Sequence, residues 1–423
     1  MKCYERYKKT GNPWINEIPS GWNLIRISSV FKERAEKVSD KDFPPLSVTK
    51  KGIVPQLADA AKSDDHDNRK KICKGDFVIN SRSDRKGSSG LSAYEGSCSL
   101  INIVLEPTGI SAEYVGFLLK SVGFQEEFYR NGTGIVADLW STNYQKLKCI
   151  QIPLPSDFEQ KKIADFLYRK TNKIDNVIKL LGKKKELLVK AQNAYIKKLV
   201  QYGVFKYELK ANDNYVFEKM PKSWDRRYLS QVTRENKQKN TGLKNTKLLS
   251  LSYGKIVEKD INTTDGLLPA SFESYQILEP GMIVLRLTDL QNDHKSLRVG
   301  LCKTKGIITS AYIGLELTDE VCPEYMYYLL HTYDICKGFY GMGGGVRQSL
   351  NYKGLCKMEL PFPPLEEQKI IAEKISDFAN KVEAELECLK RKIAKLESLK
   401  QSLISEVVTG QIDVRDFEIP EEG

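Results

Sequence analysis

Residues 152–201 read IPLPSDFEQKKIADFLYRKTNKIDNVIKLLGKKKELLVKAQNAYIKKLVQ, and this stretch decides the fold. Pro153 and Pro155 exclude a helix before Ser156, and Asp157 places a negative charge in the first turn, where the helix dipole favours it. Apolar side chains then recur every seven residues, at Leu167, Ile174, Leu181, Leu188 and Tyr195. This spacing predicts a long amphipathic helix with one stripe facing a partner helix.

The same pattern recurs 208 residues further along the chain. The apolar stripe returns at Ile375, Val382, Leu389, Leu396 and Leu403. The helix start returns too, because Pro153, Pro155, Glu159, Gln160, Ile163 and Ala164 are matched by Pro361, Pro363, Glu367, Gln368, Ile371 and Ala372. The sequence therefore predicts two copies of a globular segment followed by a long helix.

Glycines mark the predicted ends of both helices, at Gly203 and Gly410. About 45 residues that rise 1.5 Å each give a rod of roughly 65 Å. A heptad stripe on a single rod would be left exposed, so we expect the two rods to pair. The chain order of domain, rod, domain, rod favours antiparallel pairing. Separate packing of each rod on its own domain is the alternative.

The repeat divides the sequence into five segments. They are a first domain at 1–155, a central helix at 156–203, a second domain at 204–362, a C-terminal helix at 363–412 and a tail at 413–423. The two domains begin alike, with Ile18-Pro19-Ser20-Gly21-Trp22 in the first and Met220-Pro221-Lys222-Ser223-Trp224 in the second. Residues 7–22 are rich in Gly, Pro, Asn and Trp, which predicts an irregular arm.

Short runs rich in β-formers occur at matching places in the two domains. The predicted strands are 46–49, 52–54, 75–80 and 100–105 in the first domain and 249–252, 255–257, 281–286 and 309–317 in the second. Helices are predicted around 114–119 and 325–330. Because the pattern lacks a βαβ period, the predicted class is α+β, with two pseudo-repeated domains separated by two long helices that pair as an antiparallel coiled coil.

Charge is distributed unevenly along the chain, whose formal net charge is +11. The net charge is +5 over residues 1–155, +7 over 156–201, +4 over 202–362 and −5 over 363–423. A polyanionic partner fits the basic three quarters, although moderate positive charge could serve solubility alone. The opposite charges of the two long helices also favour their pairing.

Cysteine and histidine usage gives no sign of a disulfide frame or a metal site. The nine cysteines include no Cys-x-x-Cys pair, and the three histidines lie far apart in the sequence. No apolar run approaches 18 residues, and the amino terminus lacks the apolar segment of a signal peptide. We therefore expect a cytoplasmic protein with no metal and no membrane partner.

Signatures of catalysis are weak in this sequence. It contains no Gly-x-x-x-x-Gly-Lys-[Ser/Thr] phosphate loop, and Asn12-Pro13-Trp14 only partly resembles the Asn-Pro-Pro-aromatic loop of amino-methyltransferases. Two glycine clusters, at 132–134 and 341–345, occupy the same place in the repeat. They could bind a phosphate through backbone N–H groups or simply form tight turns. Asn131 precedes the first cluster, and Arg347 and Gln348 follow the second.

A polar run follows a predicted strand in each domain. The first contains Asn80, Ser81, Arg82, Arg85 and Lys86, and the second contains Arg286, Asn292, Lys295 and Arg298. Arginine suits guanine edges or phosphates, and asparagine suits adenine. The two runs occupy corresponding places but differ in almost every side chain. This pattern favours readout of two different DNA sequences on a shared scaffold, although ordinary surface divergence would also produce it.

These features together resemble the specificity subunits of Type I restriction-modification enzymes. The resemblance covers nearly the whole chain: the arm from Trp14 to Trp22, the run from Gly75 to Arg82, the glycine-rich segment with Arg347, and the doubled Pro-x-Pro and Glu-Gln start of the long helices. One departure is that Gly343, Gly345 and Arg347 form a Gly-x-Gly-x-Arg pattern, whereas the first domain has Val136 at the arginine position.

The resemblance implies a non-catalytic chain with two target-recognition domains, each reading one half of an interrupted, asymmetric site in double-stranded DNA. The predicted DNA contacts are Asn80, Ser81, Arg82, Arg85, Lys86, Asn131, Arg286, Asn292, Lys295, Arg298, Arg347 and Gln348. The paired helices would fix the spacing and dock two methyltransferase subunits, with Glu159, Gln160, Ile163, Glu367, Gln368 and Ile371 as partner-binding residues.

The same resemblance places all cofactors outside this chain. S-adenosylmethionine for adenine-N6 methylation would be bound by the methyltransferase subunits. Restriction subunits could join the complex and use ATP and Mg²⁺ to cleave DNA. The alternative from another functional class is a coiled-coil scaffold whose domains bind proteins.

Overall fold

The structure is a computed structural model that describes residues 2–56, 66–134, 140–212, 214, 216–260, 271–290, 297–340, 342 and 349–418. The chain divides into two compact units. Unit 1 comprises Met1–Leu181 together with Lys390–Gly423, and unit 2 comprises Gly182–Leu389. Unit 1 is therefore discontinuous in sequence, whereas unit 2 is a single stretch of chain.

Unit 1 is a mixture of short strands and helices. Its strands are β1 (Tyr7–Asn12), β2 (Ile15–Pro19), β3 (Asn23–Arg26), β4 (Phe31–Glu33), β5 (Lys37–Val38), β6 (Leu46–Thr49), β7 (Gly52–Pro55), β8 (Arg69–Ile72), β9 (Phe77–Asn80), β10 (Ser89–Leu91), β11 (Gly96–Cys98), β12 (Asn102–Pro107) and β13 (Gln151–Leu154). Its helices are α1 (Ala112–Leu118), α2 (Val122–Arg130), α3 (Tyr144–Leu147) and the first part of α4 (Asp157–Tyr202), with 3₁₀ turns at Ile27–Ser29 and Ser83–Arg85.

Unit 2 repeats most of these elements in the same order. Its strands are β14 (Leu209–Ala211), β15 (Lys219–Pro221), β16 (Asp225–Tyr228), β17 (Thr233–Glu235), β18 (Leu249–Ser252), β19 (Lys255–Glu258), β20 (Gln276–Leu278), β21 (Ile283–Leu285), β22 (Val299–Leu301), β23 (Gly306–Ile308), β24 (Ile313–Leu317) and β25 (Glu359–Phe362). Its helices are α5 (Leu229–Val232), α6 (Pro323–Ile335), α7 (Tyr352–Leu355), the rest of α4 and the first part of α8 (Leu365–Val408).

A four-stranded antiparallel sheet forms the centre of each unit. Its strand order is β10-β9-β12-β4 in unit 1 and β22-β21-β24-β17 in unit 2, so the two sheets match strand for strand. Strand β9 packs on both faces, because Phe77 belongs to one hydrophobic core and its neighbour Val78 to another. Ile283 and Val284 divide in the same way in β21. Burial on both faces explains the continuous apolar runs at these strands.

The long helices end as the sequence predicts. Gly203 follows α4 with a φ of 71°, and Gly410 follows α8 with a φ of 74°. A left-handed residue directly after a helix is the common way for its last carbonyl groups to be satisfied, and glycine adopts it without strain. Gly410 is also closely packed, since a Cβ there would lie 2.4 Å from Pro19 Cδ.

Within unit 1, the start of α4 packs against the end of α8. Ile163 and Val407 belong to one hydrophobic core. Further along α4, the Asp175 carboxylate lies 2.6 Å from the Lys400 ammonium, which precedes Val407 on α8. The residue numbers rise on one helix as they fall on the other, so the two helix segments run antiparallel.

Within unit 2, the end of α4 packs against the start of α8 in the same sense. The rings of Tyr195 and Phe378 have centroids 4.4 Å apart. The Lys184 ammonium lies 2.6 Å from the Glu385 carboxylate. All ten predicted heptad positions are buried or half-buried: Leu167, Ile174, Leu181, Leu188, Tyr195, Ile375, Val382, Leu389, Leu396 and Leu403. The α+β class and the antiparallel helix pair are thus confirmed.

The prediction of an irregular arm at residues 7–22 is wrong. Strands β1 and β2 form an antiparallel hairpin, in which Lys8 pairs with Ile18. Pro13 and Trp14 form its two-residue turn, and Gly11 and Asn12 end β1 at an irregularity in the pairing. The Asn12 side chain accepts a hydrogen bond from the Trp14 amide across this turn. Turn-forming residues were correctly recognised there, but the flanking strands are too short and too polar to give a strong strand pattern.

Candidate nucleic-acid interface

Residues 81–87, called loop 1, join β9 to β10 in unit 1. At the base of the loop the two strands are joined by a hydrogen bond of 2.9 Å from the Asn80 amide to the Ser88 carbonyl. Asn80 is buried, and its side-chain oxygen accepts from the Arg82 amide at 3.1 Å. A short amide side chain that bonds the backbone two residues on is the usual way to start such a turn. Asn80 therefore shapes loop 1 from within.

The segment after α2 packs against loop 1. The Tyr129 hydroxyl donates to the Asn80 carbonyl at 3.0 Å, and the Trp140 indole N–H donates to the Tyr129 carbonyl at 2.8 Å. Burial raises the pKa of Tyr129 to about 12, which keeps this donor protonated. Gly132 allows Trp140 to approach, since a Cβ there would lie 2.2 Å from the indole nitrogen. The absence of a side chain at Gly132 thus allows the Trp140 ring to pack closely against the backbone.

Four cationic side chains around loop 1 are at least two-fifths exposed. Their pairs are Arg82 with Asp84 at 3.2 Å, Arg85 with Asp84 at 3.5 Å, Lys86 with Glu126 at 2.5 Å, and Arg130 with Glu127 at 3.0 Å. Exposed ion pairs contribute only about 0–1 kcal/mol, so a phosphate can replace the carboxylates at small cost. The loop combines a fixed backbone with cations that can be redirected.

Two further predicted contacts are held by local hydrogen bonds. The Ser81 amide donates to the Ile101 carbonyl at 3.3 Å, and the Ser81 carbonyl accepts from the Thr142 amide at 3.0 Å. The Asn131 side-chain amide donates to the Glu127 carbonyl at 2.8 Å, at the end of α2. Both residues are half-buried and lie beside loop 1.

Residues 287–297, called loop 2, occupy the corresponding place in unit 2. The strands β21 and β22 close on a hydrogen bond of 2.9 Å from the Arg286 amide to the Arg298 carbonyl, as Asn80 and Ser88 close loop 1. The Leu287 carbonyl accepts from the Leu350 amide at 2.9 Å, matching the bond from Thr142 to Ser81. Loop 2 spans eleven residues and loop 1 seven, so the same frame carries loops of different length.

Arg298 is fully buried beneath loop 2. Its guanidinium donates to three backbone carbonyls, those of Arg286 at 3.1 Å, Thr288 at 2.9 Å and Asp289 at 3.4 Å, and to the Tyr340 hydroxyl at 3.4 Å. Its amide donates to the Asp334 carboxylate at 2.6 Å. A direct contact with DNA would require the side chain to leave all these acceptors. The structure gives Arg298 the role of a support for the loop backbone.

The remaining predicted DNA contacts of unit 2 divide into two groups. Arg286 is half-buried at the start of loop 2. Asn292, Lys295, Arg347 and Gln348 lie outside the described residues, as does Val136 in unit 1. The roles predicted for these residues in binding DNA stay predictions.

Sequence reasoning missed the paired tyrosines Tyr129 and Tyr340. The two occupy equivalent places, since each lies 15 residues after a buried tyrosine, Tyr114 or Tyr325, whose hydroxyl donates to a carbonyl of the Pro-x-Pro segment. Tyr129 bonds the backbone of the loop 1 frame, and Tyr340 bonds the arginine that supports loop 2. Aligning the two copies on Tyr114 and Tyr325 would have placed Tyr129 opposite Tyr340.

The predicted partner-binding residues of unit 1 are bonded within their own unit. The Glu159 carboxylate accepts from the Trp22 indole N–H at 3.0 Å and from the Tyr4 hydroxyl at 3.2 Å. The buried Gln160 side chain accepts from the Ser111 amide at 2.8 Å. Ile163 is fully buried in the same core. These contacts attach the start of α4 to the first domain.

Unit 2 repeats this attachment at the start of α8. The buried Glu367 carboxylate accepts from the Trp224 indole N–H at 3.0 Å and from the Tyr207 hydroxyl at 2.8 Å. Gln368 accepts from the Cys322 amide at 2.9 Å, and Ile371 is fully buried. Both repeats of the Glu-Gln pair therefore have a structural explanation within each unit, and a contact of these six residues with partner subunits stays a prediction.

Neither a metal-binding cluster nor a membrane-spanning helix is found in the described part of the chain. No group of three or more His, Cys, Asp or Glu side chains is arranged to hold a metal ion there. No described helix combines the length and the apolar character needed to cross a membrane.

Two curated relatives resemble the chain along nearly its full length. The putative type I restriction enzyme MjaX specificity subunit of Methanocaldococcus jannaschii is 23% identical, over 97% of each chain. The type I restriction enzyme MjaVIII specificity subunit of the same organism is 25% identical, over 95% of each chain.

A solved structure and a family description agree with these relatives. A chain from a structure describing complex assembly and conformational transition of the type I R-M system has a TM-score of 0.66 at 15% identity, over 93% of this chain and 99% of that one, which shows the same fold. The family described as "Type I restriction modification DNA specificity domain" matches residues 19–188 and 305–397, more than half of the sequence. The chain therefore belongs to the family of type I restriction modification DNA specificity domains.

Proposed function

We propose that this chain is the DNA-sequence specificity subunit of a type I restriction-modification system. Unit 1 reads one half of an interrupted, asymmetric DNA site, and unit 2 reads the other. The observation that carries the proposal is the pair of loops, which leave matching strands of matching sheets but differ in length and in side chains. A repeated frame with unlike loops suits two binding sites of one kind for two different base sequences.

In this proposal the helix pair fixes the spacing between the half-sites and docks two methyltransferase subunits. The heptad side chains are buried or half-buried, but α4 also exposes apolar side chains at Tyr168, Val177, Leu180 and Leu187. Apolar side chains that remain exposed on a paired helix support a further protein contact. Restriction subunits would join the same complex.

The chain itself supplies recognition, and the chemistry belongs to its partners. S-adenosylmethionine would be bound by the methyltransferase subunits for adenine-N6 methylation. ATP and Mg²⁺ would be used by the restriction subunits for cleavage.

The test is selection of binding sites by the full-length chain from a library of random duplex DNA, followed by sequencing. We expect one asymmetric motif of two short blocks separated by unspecified bases. Arg82→Ala should weaken preference within one block only, and Arg286→Ala within the other, each by about 1–3 kcal/mol if a base contact is lost.

Exposed arginines on strands away from the loops provide matched controls. Arg26→Ala on β3 controls for Arg82, and Arg234→Ala on β17 controls for Arg286; both should leave the motif unchanged. Recovery of no motif by the wild-type chain would contradict the proposal. Loss of both blocks from one substitution would contradict modular reading. Binding of protein partners with little dependence on salt, in place of DNA, would favour the scaffold alternative.

A further inference from the structure

We propose that the tips of two β-hairpins, β6–β7 in unit 1 and β18–β19 in unit 2, bind the DNA sugar–phosphate backbone beside the reading loops. The tip of β6–β7 consists of Lys50 and Lys51, and the tip of β18–β19 consists of Tyr253 and Gly254. This inference rests on the proposed function and adds a second contact surface that supplies affinity without reading bases.

The tip of β18–β19 has an unusual residue in an unusual conformation. Tyr253 and Gly254 form a two-residue turn with φ angles of 48° and 75°. Such turns favour Asn or Asp followed by Gly, because both central residues have positive φ. A bulky side chain in the left-handed region is a genuine outlier and is energetically unfavourable. Folding alone therefore gives no reason for a tyrosine at this position.

The Tyr253 side chain also has no role in the core, since the residue is 88% exposed. The backbone behind it is fixed, because the Gly254 carbonyl accepts a hydrogen bond of 3.3 Å from the Tyr327 hydroxyl. The adjacent Lys255 ammonium lies 2.7 Å from the Glu383 carboxylate of α8. The tip thus presents an exposed aromatic ring on a backbone that is supported from two sides.

The tip of β18–β19 lies directly beside loop 2. A Cβ placed on Gly254 would be 3.2 Å from Leu297 Cβ and 3.5 Å from the Val299 carbonyl oxygen. Leu297 is the last residue of loop 2, and Val299 begins β22. A DNA duplex bound by loop 2 would therefore pass within reach of the Tyr253 ring.

The tip of β6–β7 lies beside loop 1 in the same way. A Cβ on Gly90 would be 2.9 Å from Gly52 Cα, and one on Gly87, the last residue of loop 1, would be 4.0 Å from Lys50 Cγ. Lys50 and Lys51 are both exposed. The Lys120 ammonium fixes the turn from below by donating to the Lys50 carbonyl at 3.2 Å.

The two tips differ in residue type but share one chemistry. A lysine ammonium and a tyrosine hydroxyl are both hydrogen-bond donors to phosphate oxygens, and neither identifies a base in that role. Solvation of a surface turn would explain the lysines alone. It does not explain an exposed, conformationally strained tyrosine at the equivalent place, and a shared phosphate contact explains both.

In unit 2 the test compares Tyr253→Asn with Tyr228→Gln, which removes another exposed ring of the same unit, on β16. Binding of the full-length chain to its selected site is measured by fluorescence anisotropy, and thermal stability is measured in parallel. We expect Tyr253→Asn to lower affinity roughly threefold to tenfold, because one hydrogen bond and its ring contact are lost. Its melting temperature should be equal or higher, because asparagine tolerates positive φ. Tyr228→Gln should bind as the wild type does.

In unit 1 the test compares the double variant Lys50→Gln/Lys51→Gln with Lys8→Gln/Lys9→Gln, a second pair of adjacent exposed lysines on β1. The slope of log affinity against log salt concentration should fall by about 0.9 for each phosphate contact removed. The control pair should leave the slope unchanged. Site selection should recover the wild-type motif with every variant, since phosphate contacts carry no base information.

The outcomes separate this inference from the proposed function. Normal affinity in both tip variants, with the motif still selected by the wild-type chain, would overturn the tip contact and leave the proposed function standing. A changed motif in a tip variant would also overturn it, because the tip would then be reading bases. Failure of the wild-type chain to select any motif would overturn both proposals.

Discussion

Loop 1 and loop 2 connect matching pairs of strands, β9–β10 and β21–β22, but different side chains support them. Both frames close on a backbone hydrogen bond of 2.9 Å, between Asn80 and Ser88 in unit 1 and between Arg286 and Arg298 in unit 2. In unit 1 the support is a short amide side chain, whereas in unit 2 it is a fully buried arginine that binds three carbonyls of the loop segment. The fold thus holds the loop ends constant and leaves the interior of each loop free to change.

The charge of a loop residue does not reveal its role. The exposed cations around loop 1 lie in ion pairs that contribute little free energy, so their carboxylate partners can be displaced at small cost. The guanidinium beneath loop 2 is charged as well, but its donors are already used by the loop backbone. Four predictions test how far the two units differ.

The largest expected effect is that of Arg298→Met. The substitution leaves the carbonyls of Arg286, Thr288 and Asp289 without this donor in a buried place, which should lower the free energy of unfolding by about 3–5 kcal/mol. Urea denaturation followed by circular dichroism measures the change. The counterpart in unit 1, Ser88→Ala, is the control, with an expected cost below about 1 kcal/mol. Equal effects at the two positions would contradict the difference in loop support.

His331 should make the stability of unit 2 sensitive to acid. Burial lowers the pKa of His331 to about 4, and the ring is stacked 5.6 Å from Tyr327. The unfolded chain binds the proton more readily, so stability is complete above pH 6.5 and is lost as the pH falls towards 4, by about 3 kcal/mol. Measurements of urea denaturation across this pH range should show a smaller slope for His331→Phe. An unchanged slope would contradict a buried neutral histidine. In unit 1 the equivalent position is occupied by Lys120.

Glu367→Ala should lower the free energy of unfolding more than Glu159→Ala, although the two substitutions remove equivalent carboxylates at the starts of α8 and α4. Glu367 is buried, so the Trp224 indole N–H and Tyr207 hydroxyl lose their acceptor away from water, at a cost of about 2 kcal/mol. Glu159 is only half-buried, and water can replace its carboxylate, which limits the cost to about 1 kcal/mol. Thermal unfolding of the two variants measures the difference. A larger effect for Glu159→Ala would reverse the predicted order.

The smallest expected effect is a gain in stability. Gly182 lies inside α4, with open space where a Cβ would be, whereas the matching position in α8 is Lys390. Gly182→Ala should stabilise the chain by about 0.5–1 kcal/mol, because alanine loses less backbone entropy in a helix. A raised melting temperature would show that this glycine is a local weakness of α4. A lowered one would show that α4 needs flexibility or close packing there.

Features set by local sequence rules were the ones that could be predicted. The long helices follow from the heptad stripes, the proline pairs and the glycines at 203 and 410, all of which act within a few residues of their own position. The strands of the central sheets follow from runs of apolar residues such as Phe77 to Ile79. The internal repeat strengthened these predictions, because each weak pattern occurs twice in the sequence.

Features set by contacts between distant residues could not be predicted. Arg298 was taken as a surface reader because nothing near it in sequence indicates that the loop folds over its side chain. The resemblance gave Glu159 and Glu367 a role in partner binding, which stays a prediction. Nothing near them in sequence indicated that each accepts an indole N–H from a tryptophan 137 or 143 residues away in the chain. Tyr253 drew no attention, because its exposure and backbone angle are properties of the folded chain.

The discontinuity of unit 1 has a consequence for biosynthesis. The Asp413 amide donates to the Lys2 carbonyl at 2.9 Å, and Val407 and Val408 complete the core that contains Ile163. A ribosome delivers the first domain before unit 2 and these residues after it, whereas unit 2 is one continuous stretch. The core of unit 1 therefore stays partly uncovered until residues 390–423 have emerged from the ribosome exit tunnel. Nascent chains truncated before Lys390 should bind chaperones through this uncovered apolar surface.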